Sequence, residues 1–212
     1  FLILASHHFG KEDTQFLMSE NSYLNQLLFF LKGSLIILAP MYFHFDETMS
    51  IFKSLLIDNE AFFEFLNLIE INKILLYGII VSTLSSILLF TKNFELKKFT
   101  IFFDYFSILI VNYYFSPLVA FTIYFCFLHS VRHSISLISQ LDKNSIANGL
   151  KIFIKKALPL TILTATFCFL GLYLLNNTYN FDSSILKIIF IGLASLTFPH
   201  ILLEYLIEKN EK

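Results

Sequence analysis

Between Lys73 and Lys92 the chain reads ILLYGIIVSTLSSILLFT, a run without a single charged residue. About 20 predominantly apolar residues carry an α-helix across bilayer hydrocarbon, and there only a helix or a closed barrel satisfies every backbone N–H and C=O. The run is therefore read as a spanning helix, and it commits the rest of the chain to a membrane fold. Composition agrees. Of 212 residues 56% are hydrophobic and the mean hydropathy is +0.70, more apolar surface than an ordinary globular core hides.

The same pattern recurs along the chain. From Phe99 to Leu141 apolar residues dominate for about twice a membrane thickness, broken only at Phe115, Ser116 and Pro117. Proline disfavours helical conformation in the residue before it, so two helices joined by a tight turn are expected. Further runs lie at about 25–45, 157–175 and 185–207. Lys32 near the start of the first, and Lys187 and Glu204 near the ends of the last, are read as snorkelling side chains. The opening FLILASHHF is too short to span before Gly10 and carries no basic region followed by a small-residue cleavage site, so it is not read as a signal peptide. It is read as the end of a helix that begins upstream. The expected architecture is all-α: a polytopic integral membrane bundle of about six spanning helices plus the end of a truncated one, forming a single domain over residues 1–212. Residues 46–72 mix Asp46, Glu47, Asp58, Glu60, Glu64 and Glu70 with Phe and Leu, and are expected to form an amphipathic surface segment.

Charge excludes some partners and sets an orientation. A net charge of −1, with Lys and Arg placed between apolar runs, gives no patch for nucleic acid. Cys126 and Cys168 lie in apolar segments and are read as small hydrophobes rather than a disulfide framework. Lys92, Lys97 and Lys98 mark one connection, Lys143, Lys151, Lys155 and Lys156 another, and Lys209 and Lys212 the C-terminus, whereas the connections at Ser116 and at Asn176 to Ser184 have no Lys or Arg. That alternation places the Lys-rich side in the cytoplasm of a cell inner membrane.

Against this background FCFLHSVRHSISL, residues 125–137, needs a reason for two histidines and an arginine in an oily run. His129 and His133 are four residues apart, on one helical face with a rise of about 6 Å, and can reach one ion. Alone an HxxxH pair is a weak signal, but ionisable groups at membrane depth default to function. By the orientation above, His8, His129, His133 and His200 share one depth zone, and His44 falls toward the opposite side. His8 sits in ASHHFGKED, where Gly10 is expected to end the helix in the left-handed conformation and His7 points about a quarter turn away from His8. The alternative is a polar helix end at the interface, built of His7, His8, Lys11, Glu12 and Asp13.

Read together, HHFGKED (7–13), YFCFLHSVRHS (124–134) and SLTFPHILLE (195–204) resemble the bacterial Brp/Blh-type β-carotene 15,15′-dioxygenase family, and GSLIILAPMYFH (33–44) extends the resemblance nearly end to end. It implies an integral membrane enzyme that cleaves β-carotene into two retinals for retinal-binding rhodopsins, with Fe(2+) as cofactor and dioxygen as co-substrate. Carried over by motif, it implies His8, His129 and His133 as iron ligands. His200 matches a family histidine, either supporting the site or lining the substrate pocket, unless it is a helix-packing residue. An upstream family histidine motif has no counterpart in this sequence, in keeping with the truncated start expected above.

The chemistry agrees. Imidazole suits iron, and a ligating histidine usually donates its other N–H to a carboxylate or carbonyl. Asp13 and Asp104 are the candidates, Asp104 alternatively being a solvated interfacial residue, and Arg132 either pairs with one of them or snorkels. A polyene offers no polar handle, so aromatic stretches such as FFDYFSILIVNYYF either line its tunnel or face lipid. The rivals are another membrane iron oxidase (a carotenoid or lipid hydroxylase or desaturase), which needs HxxHH boxes absent here, and a carotenoid or retinal carrier or transporter without catalysis.

Overall fold

The computed structural model describes residues 2–14, 22–55, 59–91 and 98–210, with side chains as far as Ser195. Every regular element among them is helical. In order these are α1 (Leu2–Glu12), α2 (Tyr23–Gly33), α3 (Leu35–Phe43), α4 (Phe45–Ser54), α5 (Glu60–Ile71), α6 (Ile74–Thr91), α7 (Phe99–Tyr114), α8 (Pro117–Ile123), a π-helix (Tyr124–Ser130), α9 (Val131–Leu141), α10 (Ile146–Leu175) and α11 (Phe181–Asn210). Among the described residues four stretches are long and apolar enough to cross a membrane: 23–43, 74–91, 117–141 and 146–175. Helix α7 is a shorter apolar helix beside them. Asp58, Lys92, Lys97 and Lys212, and the side chains of His200, Glu204 and Lys209, lie outside the described residues.

Two compact units divide the chain, Phe1–Lys53 with Ile57–His129, and Ser54–Leu56 with Ser130–Lys212. In the first unit α6 shows why this fold belongs in lipid. Its buried side carries Ser82, Ser85 and Ser86 beside Leu75, Ile79 and Leu89, while Leu84 and Leu88 are more than half exposed. A water-soluble helix has the reverse pattern; small polar residues at helix contacts with Leu and Ile outward is the membrane arrangement. The apolar centre of this unit is Leu35, Ile36, Ala39, Ile79, Tyr105, Ile108 and Tyr124. A second cluster of Met41, Met49, Leu66 and Leu75 seats α4 and α5, leaving Phe65, Leu68 and Ile71 exposed.

Local readings at the α1–α2 crossing are corrected. Gly10 does not end α1 in a left-handed turn: no glycine among the described residues has positive φ, and α1 continues to Glu12. Its work is close approach. A Cβ on Gly10 would meet the Phe29 carbonyl and one on Gly33 the Ser6 carbonyl, so α1 and α2 touch backbone to backbone. Lys32 does not snorkel; it is 4% exposed, held inward by that same crossing.

In the second unit α10 follows Ser145, whose side chain caps Asn148 N–H. Asp142 accepts from the Asn148 side chain and from the backbone N–H of Asn144 and Ser145, which together hold its carboxyl below the usual carboxylate range. Lys187 of α11 does not snorkel as expected: it is buried, donating to the Ser54 carbonyl at 2.6 Å with its ammonium 4.3 Å from the Tyr179 ring centre.

Candidate functional site

The α1–α2 crossing delivers the first part of the site. Because Gly10 and Gly33 allow backbone contact, the end of α1 lies against α2, and Asp13, just beyond Glu12, meets Lys32. Lys32 Nζ and Asp13 Oδ2 are 3.6 Å apart, with side chains 4% and 3% exposed. His7 and His8 separate as the helix requires: His7 Nε2 faces Gln26 Oε1 at 2.7 Å, whereas His8 turns into the core and is buried.

The π-helix delivers the second part. In an α-helix residues five apart differ by about 140° in direction, but i→i+5 hydrogen bonding brings them nearly over one another. Tyr124 and His129 are five apart, and their rings stack at 6.1 Å with an interplanar angle of 29°. Both then reach one carboxylate. Tyr124 Oη donates to Asp13 Oδ2 at 2.9 Å, and His129 Nδ1 lies 3.5 Å from Asp13 Oδ1. A carboxylate only accepts, so Nδ1 is the donor in this contact, an arrangement that in the neutral ring leaves the lone pair on Nε2.

His8 and His129 face each other with ring centroids 6.0 Å apart at 70°. An ion bonded to two imidazoles at about 2 Å each holds their centroids no more than roughly 6–6.5 Å apart, so this pair is within reach at its open end. Aromatic rings close around it: Phe9 meets His129 edge-on at 4.9 Å and Phe125 stacks on it at 5.8 Å. The donor set of two imidazoles backed by a buried carboxylate fits iron in kind. Among the described residues, no three His, Cys, Asp or Glu side chains are gathered as a metal-holding group.

The remaining expected residues are placed as follows. Asp104 is on α7 and 4% exposed, so it is not the solvated interfacial aspartate considered from sequence. His133 and Arg132, both half-buried on α9, belong to the second unit, and His200 is on α11 with its side chain outside the described residues. His44 has its Nε2 2.8 Å from the Asn112 carbonyl oxygen. Sequence reasoning missed Lys32 and Tyr124. An opposite charge on a neighbouring apolar helix was the available signal for Lys32; for Tyr124 there was none, because only the π-helix aligns it.

Comparison with known proteins bears on what such a site does. The protein-family model described as Beta-carotene 15,15'-dioxygenase matches residues 1–208. A curated protein from Uncultured marine bacterium 66A03, named Beta-carotene 15,15'-dioxygenase, is 36% identical over 110 residues, covering 50% of this chain and 38% of that protein. The match thus spans less than two-fifths of the relative's length. No solved structure matches the chain.

Proposed function

This chain belongs to the β-carotene 15,15′-dioxygenase family, and from that premise we propose that it cleaves β-carotene oxidatively at its central double bond to give two retinals. The observation that carries the reading is buried His8 facing part-buried His129, with Asp13 behind His129, set among aromatic rings in a lipid-facing bundle. His8, His129 and His133 would hold the iron, His133 on the strength of its motif and spacing. Iron bound there supplies the chemistry by which dioxygen is activated. The protein's own part is to fix and to exclude. Asp13 holds the His129 ring in one orientation and tautomer. Phe9 and Phe125 keep water from the ring and offer apolar walls to a substrate that can be positioned only by shape. Asp104, Arg132 and His200 support the site or line the pocket. β-Carotene arrives dissolved in membrane lipid, the protein sits as a multi-pass protein in the cell inner membrane, and its retinal supplies a rhodopsin.

The test is product analysis in β-carotene-producing cells expressing the whole protein. Retinal should be the single major product and should vanish on withdrawal of iron or dioxygen and in the His8→Ala, His129→Ala and His133→Ala variants. Longer apocarotenals would mean off-centre cleavage, hydroxylated carotenoids with an intact chain would favour a hydroxylase, and no turnover by iron-loaded protein would favour a carrier.

A further inference from the structure

Lys32 and Tyr124 have no part in the reading above, yet with His129 they close around Asp13. An ammonium and a carboxylate buried this deeply cost more in desolvation than their attraction returns unless geometry and extra hydrogen bonds are good, and an apolar pair of similar volume is often at least as stable. In lipid the cost is higher still. The pair is therefore hard to explain as a stabilising contact. It is easy to explain as a device that fixes a carboxylate. Lys32 at 3.6 Å and the Tyr124 hydroxyl at 2.9 Å both engage Oδ2, which leaves Oδ1 turned to His129 Nδ1 at 3.5 Å. Each arm is itself anchored: Ser82 Oγ of α6 donates to the Lys32 carbonyl at 3.4 Å, and the π-helix stacks Tyr124 on the His129 ring.

We propose that Lys32 and Tyr124 are positioning residues that act through Asp13, locking the carboxylate so that it holds the His129 ring in the orientation and tautomer a metal ligand needs. The inference rests on the proposed iron site and concerns metal binding rather than turnover.

The test uses the whole protein in detergent, titrated under argon with ferrous ion alone, and with Co2+ alone as a spectroscopic substitute. Loss of a group behind a metal ligand typically weakens binding by about 10–100-fold. Lys32→Met should weaken both ions by about tenfold and change the visible Co2+ spectrum. Tyr124→Phe, which keeps the ring and removes one hydrogen bond, should weaken them by about three- to tenfold. Asp13→Asn should lose at least as much as Lys32→Met. Because all act through one carboxylate, Lys32→Met combined with Asp13→Asn should lie within about twofold of Asp13→Asn alone. Wild-type affinities and Co2+ spectra in Lys32→Met and Tyr124→Phe, whatever their thermal stability, would overturn the proposal, as would losses that multiply in the double variant. Should Lys32→Met not accumulate, Tyr124→Phe decides alone. Wild-type protein that binds neither ion overturns this inference together with the iron site. Wild-type protein that binds ferrous ion and shows the expected variant pattern, yet leaves β-carotene intact, sinks the proposed reaction and leaves the positioning role standing.

Discussion

His44 and His129 show how two histidines in similar oily surroundings come to different uses. His44 spends Nε2 on the Asn112 carbonyl oxygen at 2.8 Å, tying the end of α3 to α7. His129 has Asp13 on Nδ1 and His8 across from it. His44→Ala should therefore destabilise the protein by about 1–3 kcal/mol, the cost of leaving the carbonyl of buried Asn112 without this partner, while iron content and retinal formation per folded molecule stay near wild type. Thermal inactivation in detergent alongside iron analysis checks both, and loss of iron in this variant would mean that the site extends to α3. In the sequence, helix direction alone set His44 apart from the others; its bond to Asn112 is a packing contact that direction does not reveal. Burial of Asp104 was not legible: its place near a helix end suggests solvent, and only the packing of α7 against its neighbours takes it inside.

At the scale of elements, the spans at 74–91 and the break at Ser116 were readable because apolar runs and proline act locally, through hydrocarbon length and a steric clash. The α1–α2 crossing was not, since a glycine looks the same in sequence whether it ends a helix or admits a neighbour. The two uses predict different mutants. At a left-handed cap, alanine is disfavoured by backbone conformation; at Gly10 and Gly33 the backbone is ordinary and the obstacle is the facing carbonyl of Phe29 or Ser6. Neither carbonyl can move without shifting its helix. Gly10→Ala and Gly33→Ala should each cost at least about 1–3 kcal/mol, the usual range for overpacking, and should pull Asp13 away from Lys32. Gly192→Ala is the control: beyond its chain neighbours and its own helix backbone, no atom of the described residues lies within 4 Å of its added methyl, so it should be neutral or stabilise α11 by up to about 1 kcal/mol. Denaturation midpoints of the three variants separate these cases, and a harmless Gly33→Ala would refute backbone contact at the crossing.

For the molecule as a whole, what the fold leaves exposed matters as much as what it buries. Phe167, Phe169 and Leu174 of α10 are each about two-thirds or more exposed, and the most apolar stretch of that helix has none of its residues buried. In water so continuous an apolar surface invites association; in a bilayer it meets lipid. Helix α10 also carries the sharpest statement of orientation. Lys151, Lys155 and Lys156 crowd its first part, residues 157–175 have no charge, and no Lys or Arg occurs from there to Ser184. At about 1.5 Å per residue the uncharged part is about 28 Å long, close to the hydrocarbon thickness, so the lysines lie at one interface and Asn176 at the other. The excess of Lys on one side then predicts Asn144 in the cytoplasm and Asn180 outside. With Cys126 and Cys168 replaced by Ser, a membrane-impermeant thiol reagent applied from the periplasmic side should label a cysteine at Asn180 and spare one at Asn144 until the cells are opened. Labelling in the opposite sense would invert the chain in the membrane, and with it the depth at which the histidines were expected to gather.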